Sequence, residues 1–169
     1  IGRHSEYYEK PAQYTTTYYY ANGGHNYFIE YESRDGKAIF GFIRLRFTEP
    51  DKNMTRFDIL RDRGLIRELH VYGNTTAVDT YNKGGCQHTG IGKGLLKLAE
   101  IKSMTHGLYG IVVISGEGVK EYYEKKGYKE VDTFMIKDFT FWMVWYYYLK
   151  KNYYYQFCII ILSFNILVI

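Results

Sequence analysis

Gln87-His88-Thr89-Gly90-Ile91-Gly92-Lys93-Gly94-Leu95-Leu96 is the stretch on which the fold turns. Apolar residues recur at Ile91, Leu95, Leu98 and Ala99, spacings of three and four that bury one face of a helix. The glycine-punctuated loop therefore lies at a helix N-terminus, where backbone N–H groups lack intrahelical partners and the macrodipole is positive. A phosphate or diphosphate is the natural ligand there, and glycine lets the backbone approach it closely. The dinucleotide fingerprint requires Gly-x-Gly-x-x-Gly and the Walker loop requires Gly-x4-Gly-Lys-Ser/Thr; this stretch fits neither.

Around that loop the chain has 169 residues and 46% hydrophobic content, enough for one domain with a real core and too short for two ordinary ones. A net charge of +4 allows a polyanionic partner without demanding one. Cys86 and Cys158 form no Cys-x-x-Cys pair, and the scattered histidines offer no metal-ligand spacing, which excludes a disulfide scaffold, a zinc site or an iron–sulfur cluster. The chain opens on Ile1 without the pattern of a signal peptide and reads as a fragment.

Ahead of the loop, residues up to Thr17 are polar, carry Pro11 and lack a sustained period, so they read as linker or the frayed end of a preceding element. Asn22-Gly23-Gly24 signals a turn. Asn26 to Tyr31 and Ala38 to Phe47 then read as a β-hairpin joined through Ser33-Arg34-Asp35-Gly36. In its second strand Ile39, Gly41, Ile43, Leu45 and Phe47 alternate with Phe40, Phe42, Arg44 and Arg46, one face apolar and the other ending basic; a solvated sheet face accounts for the two arginines. Thr48 to Gly64 reads as a surface loop. Leu65 to Tyr72 is a strand with Leu65, Leu69 and Val71 on one side and Glu68 and His70 on the other, and Asn74 to Gly85 delivers the chain to the glycine loop.

Beyond the helix, Ile111-Val112-Val113-Ile114 has the continuous β-branched character of a parallel strand buried on both faces. Strand, helix, strand implies a right-handed crossover. A short helix with Tyr122 and Tyr123 follows, acidic early and basic late, with Gly127 as its cap, and Tyr128 to Lys137 reads as a last strand. At Asp138 the composition changes to tryptophan and tyrosine, and Tyr153 to Ile169 carries no charge. Two readings fit this tail: a short membrane anchor with Lys150 and Lys151 at the interface, or translated non-coding sequence rich in AT-type codons.

The Gln87-x-x-Gly90-x-Gly92 spacing resembles the pyrophosphate loop of the GNAT superfamily of acetyl-CoA-dependent acetyltransferases. Further segments are similar to one GNAT domain, the C-terminal half of the catalytic subunit of Elongator, a tRNA wobble-uridine modification enzyme. They are Tyr20-Ala21-Asn22-Gly23-Gly24, Gly41 to Arg46, Ile66-Arg67-Glu68-Leu69-His70-Val71-Tyr72-Gly73, Val113-Ile114-Ser115-Gly116-Glu117-Gly118-Val119 and Tyr122 to Tyr128. The likeness spans residues 18–137, leaving 1–17 as linker and 138–169 as an extension.

That resemblance implies an α/β GNAT fold: a mixed twisted sheet flanked by helices, whose central parallel strands splay so that a free strand edge pairs with pantetheine. It implies acetyl-CoA as cofactor, held by the backbone of Glu68, Leu69, His70 and Val71, by Gln87 and Gly90, and by the amides of Ile91, Gly92 and Lys93. Tyr123 is implied to bind the thioester and to protonate the leaving thiolate. An iron–sulfur cluster and S-adenosylmethionine belong to the radical half of that family, which this chain does not contain. The implied function is the acetyl-CoA-using domain of a wobble-uridine carboxymethylation enzyme, with tRNA and other Elongator subunits as partners, in the cytoplasm or also the nucleus, or tethered to a membrane through 153–169. Two alternatives stand beside it: a histone or protein lysine acetyltransferase with Glu68 as base, and a non-catalytic acetyl-CoA-binding scaffold.

Overall fold

The computed structural model describes residues 11–49, 57–72 and 90–152. Strands β1 (Ala12–Ala21), β2 (Gly24–Ser33), β3 (Ile39–Thr48) and β4 (Arg63–Val71) form an antiparallel meander. Helix α1 (Ile91–Thr105) then carries the chain over the sheet to β5 (Gly110–Ile114), which pairs parallel with β4. Helix α2 (Lys120–Glu124) and a hairpin of β6 (Lys129–Val131) and β7 (Phe134–Asp138) complete a seven-stranded sheet in the order β1-β2-β3-β4-β5-β7-β6. A further helix, α3 (141–152), follows.

The hairpin turns follow their residue types. Asn22 and Gly23 both have positive φ, 50° and 66°, the backbone of a two-residue turn whose twist suits the flanking strands. Arg46 clamps that turn, its Nη1 donating to the Ala21 carbonyl at 3.1 Å and its Nη2 to the Asn22 carbonyl at 2.7 Å. Between β2 and β3, buried Ser33 accepts from the Ala38 N–H at 3.0 Å and donates to Asp35 at 2.6 Å.

The core lies between one face of the sheet and α1. Ile29, Ile43, Leu45, Phe47 and Ile66 point from the strands toward Ile91, Leu95, Leu96, Ala99 and Met104 of the helix. Two glycines set how close α1 lies. A Cβ on Gly41 would sit 3.0 Å from Ile91 Cγ2, and one on Gly64 would sit 2.5 Å from Ser103 Oγ. Toward the helix's far end Glu100 is buried and accepts from Lys137 Nζ at 2.9 Å and from the Tyr128 hydroxyl at 3.2 Å, which ties α1 to β7 and to the residue before β6.

Several sequence expectations need correction. The stretch read as linker supplies the first part of β1, because threonine and tyrosine favour an extended edge even where no apolar alternation marks it. The single last strand is a hairpin, broken at Asp132, whose φ of 54° cannot continue a strand. Phe40 sits at a register shift between β2 and β3 and is buried rather than facing out with Phe42. The extension does not leave the domain at Asp138: Phe139 and Val144 are buried in the core, and Tyr147 packs against it. Residues 153–169 lie outside the described ones, and among the latter no helix is long and apolar enough to cross a membrane.

Candidate functional site

β4 is paired on both sides only over its first half. Its parallel ladder with β5 runs from Arg63 opposite Gly110 to Ile66 opposite Val113 and then stops, while β3 stays beside β4 as far as Val71. Beyond Ile66 one edge of β4 therefore has no strand beside it among the described residues and faces a gap, with backbone N–H and C=O groups directed into it. The departure coincides with a β-bulge: Arg44 pairs with Glu68 and Leu45 with Ile66, so Arg67 is the extra residue. The bulge also changes the phase of side chains. Ile66 and Leu69, three residues apart, both face α1, and Leu65 lies on the opposite side from Leu69 and Val71 rather than with them.

The first turn of α1 stands at the end of that gap. Its N-cap, Gly90, has φ 96° and ψ 7°, a left-handed conformation that glycine adopts without penalty, and no side chain caps the helix. The intrahelical ladder begins with the Gly94 N–H donating to the Gly90 carbonyl at 2.9 Å, which leaves the amides of Ile91, Gly92 and Lys93 without a helical acceptor. A Cβ on Gly92 would lie 3.4 Å from Val71 Cγ2 and 3.1 Å from the Tyr122 hydroxyl oxygen. Helix start, end of β4 and Tyr122 thus converge on one glycine, and the Lys93 side chain is exposed beside them.

The paired tyrosines of α2 differ. The Tyr123 ring is 6% exposed, edge-on to Tyr122 and Tyr128, and its pKa is pushed up to about 12 by burial, with Tyr122 adding to the rise. Tyr122 has a buried hydroxyl that finds no hydrogen-bond partner among the described residues, and burial raises its pKa as well, so it stays a proton donor. Sequence reasoning singled out Tyr123. Tyr122 was visible in the same motif, but only the orientation of a five-residue helix separates the two.

The remaining candidates divide by face. Glu68 Oε2 lies 3.5 Å from Arg44 Nη1, and His70 stacks on Phe42 at 5.8 Å between ring centroids, with Tyr72 at 5.2 Å. These side chains occupy the sheet face away from α1, so what Glu68, Leu69, His70 and Val71 present to the gap is backbone. Gln87 and His88 lie outside the described residues. Among the described residues no group of His, Cys, Asp and Glu is arranged to hold a metal ion.

Splayed parallel strands, a bulged β4 and an uncapped, glycine-led helix define the architecture to which comparison with known proteins also leads. No protein-family model matches the chain. It is 38% identical over 120 residues to Elongator complex protein 3 of Homo sapiens, covering 70% of this chain and 22% of that protein. It is 33% identical over 120 residues to the tRNA uridine(34) acetyltransferase of Dehalococcoides mccartyi, covering 70% of this chain and 26% of that protein. The structure of the archaeal Methanocaldococcus infernus Elp3 superposes with a TM-score of 0.62 at 35% identity, covering 75% of this chain and 30% of that one. The chain thus spans about a fifth to a quarter of the length of these curated relatives. Over that span it has the GNAT acetyltransferase fold and belongs to the Elongator complex protein 3 family.

Proposed function

We propose that this chain binds acetyl-CoA along the free edge of β4 and serves as the acetyltransferase domain of an enzyme that carboxymethylates the wobble uridine of tRNA. The observation that carries the reading is the unpaired second half of β4 beside an uncapped helix start. Three features fit the cofactor. The extended edge from Glu68 to Val71 offers alternating donors and acceptors to the two amides of pantetheine. The amides of Ile91, Gly92 and Lys93, with the positive helix end and the Lys93 ammonium, suit a diphosphate. The orphaned Tyr122 hydroxyl is a donor waiting for an oxygen.

When bound, the thioester supplies an activated acetyl group. This chain's own part is to orient it and to manage one proton. The backbone of β4 fixes the pantetheine arm, Gly90 and Gly92 keep the first turn of α1 open, and Tyr122 donates a hydrogen bond beside Gly92. Tyr123, whose raised pKa keeps it protonated at neutral pH, would hold the proton that the sulfur takes up as the acetyl group passes to water or to the acceptor. The iron–sulfur cluster and S-adenosylmethionine would act in the part of the longer relatives that this chain does not span, with tRNA and other Elongator subunits as partners of the whole. Lysine acetylation is less favoured, since Glu68, the carboxylate suited to act as base, is engaged by Arg44.

Acetyl-CoA titration by calorimetry, followed by turnover assays with tRNA and with a lysine peptide, tests the reading. Saturable binding with hydrolysis stimulated by tRNA is the expected result. Turnover confined to the lysine peptide would favour the second activity, binding without turnover a scaffold, and absence of binding would refute the assignment.

A further inference from the structure

Among the described residues β1 closes one end of the sheet, and it has none of the devices that usually blunt an edge. Ala12–Ala21 is a ten-residue strand containing no charged residue and no proline. Its register with β2 runs unbroken from Ala12 opposite Ser33 to Ala21 opposite Gly24, so no bulge twists it away. Threonine and tyrosine, among the residues that best suit a pleated surface, fill its centre. The opposite end of the sheet, β6, has three residues and carries Lys129 and Glu130.

The parity of the free groups follows from the hairpin. In a two-residue turn the closing pair, Ala21 and Gly24, is hydrogen-bonded, and alternate residues of β1 are then bonded inward. The Arg34 N–H donating to the Pro11 carbonyl at 3.0 Å continues the same odd-numbered set. Ala12, Tyr14, Thr16 and Tyr18 therefore direct N–H and C=O outward, away from β2. Their side chains share one face, with Tyr14 45% and Tyr18 51% exposed and Thr16 exposed between them.

We propose that β1 pairs antiparallel with β1 of a second copy of this chain, about a two-fold axis at Thr16, joining the two sheets into one. That register sets Thr16 against Thr16 and each Tyr14 against the other copy's Tyr18, an aromatic cross-strand pair repeated by symmetry. A second copy is the fitting occupant for two reasons. The edge is self-complementary and uncharged, so two copies meet without like-charge repulsion. The two ends of the sheet are unlike in length and charge, so pairing closes as a dimer rather than running on as a filament. β2 and β3 separate β1 from β4, which leaves the gap beyond Ile66 open in the dimer.

Sedimentation of the purified chain tests this, with wild type expected as a dimer. Thr16→Lys adds a charge at the axis, and Thr16→Pro removes an outward N–H without touching the β2 ladder. Each should weaken dimerisation by at least about tenfold, with an unchanged circular dichroism spectrum for Thr16→Lys. Register is read by oxidation: Thr16→Cys should give a disulfide-linked dimer, since facing hydrogen-bonded residues lie about 5.5 Å apart between Cα atoms, and Thr15→Cys should not. A monomeric wild type, a dimer indifferent to Thr16→Lys, or crosslinking at Thr15→Cys instead would overturn the proposal.

Discussion

Tyr122→Phe should move stability and ligand affinity in opposite directions. Among the described residues the buried Tyr122 hydroxyl has no hydrogen-bond partner, and burying such a group costs about 1–3 kcal/mol. Phenylalanine keeps the ring against Tyr123 and deletes only the oxygen that lies 3.1 Å from where a Gly92 Cβ would be. Without ligand the variant should gain about 1 kcal/mol, a rise of roughly 2–4 °C in melting temperature for a chain of this size. With acetyl-CoA present that advantage should vanish or reverse. If the hydroxyl donates to a ligand oxygen, losing that bond weakens binding by about 1–2 kcal/mol, or roughly 5- to 30-fold. The wild type, saturated at about 100 times its dissociation constant, is then stabilised by about 2.7 kcal/mol, and the variant by about 1–2 kcal/mol less at the same concentration. Thermal melts of both proteins with and without acetyl-CoA, with calorimetric titration, supply all four numbers. A variant that melts lower than wild type without ligand, or binds acetyl-CoA as tightly, would refute the reasoning.

Gly92→Arg should abolish acetyl-CoA binding while leaving the circular dichroism spectrum intact, because the new side chain would fill the space between α1, Val71 and Tyr122; retained affinity in a titration would sink the helix-start assignment. Tyr123→Phe should lower single-turnover acetyl-CoA cleavage by about 100-fold or more with little change in affinity, and an unchanged rate would remove Tyr123 as the acid. Lys137→Ala leaves the buried Glu100 carboxylate with only the Tyr128 hydroxyl and the half-exposed Lys97 at 3.7 Å and should cost about 3 kcal/mol in urea unfolding, with much of the loss recovered in the Glu100→Gln, Lys137→Met double variant. His106 is held below the ordinary imidazole value of 6.5, chiefly by burial, with Lys151 and Lys102 also opposing its charge. Its unfolded form then binds more protons below that pH, so stability should be complete above about 6.5 and fall as pH drops toward the lowered folded value; His106→Gln should flatten this slope in denaturant melts taken across pH.

What the sequence made legible were the elements whose burial has a period. Ile91, Leu95 and Ala99 announce α1, the β-branched run of β5 announces a strand covered on both faces, and Ser33 to Gly36 announces a turn. β1 escaped because an edge strand with Tyr14, Tyr18 and Tyr20 exposed on the same face as its contacts shows no inside and outside. The break at Asp132 and the burial of Phe139 and Val144 depend on where β7 and α3 land, which local pattern does not encode. At the site, Gly90 and Gly92 were readable as backbone requirements. The assignment of the orphaned hydroxyl to Tyr122 was not, since adjacent residues of a short helix differ only by a rotation fixed by its packing.

The extra residue at Arg67 separates two properties that usually travel together. Its side chain is exposed, so exchanging it for another amino acid should be nearly silent. Removing it altogether would make β4 alternate strictly without turning any residue over, since Glu68 would follow Ile66 directly and still pair with Arg44 while Leu69 and Val71 still faced α1; what would go is the bulge at which β4 parts from β5. In a saturation screen this position would be the most permissive of its strand to substitution, while its deletion would spare the fold and cost the gap, a place where the chain is constrained by its length and hardly at all by its letters.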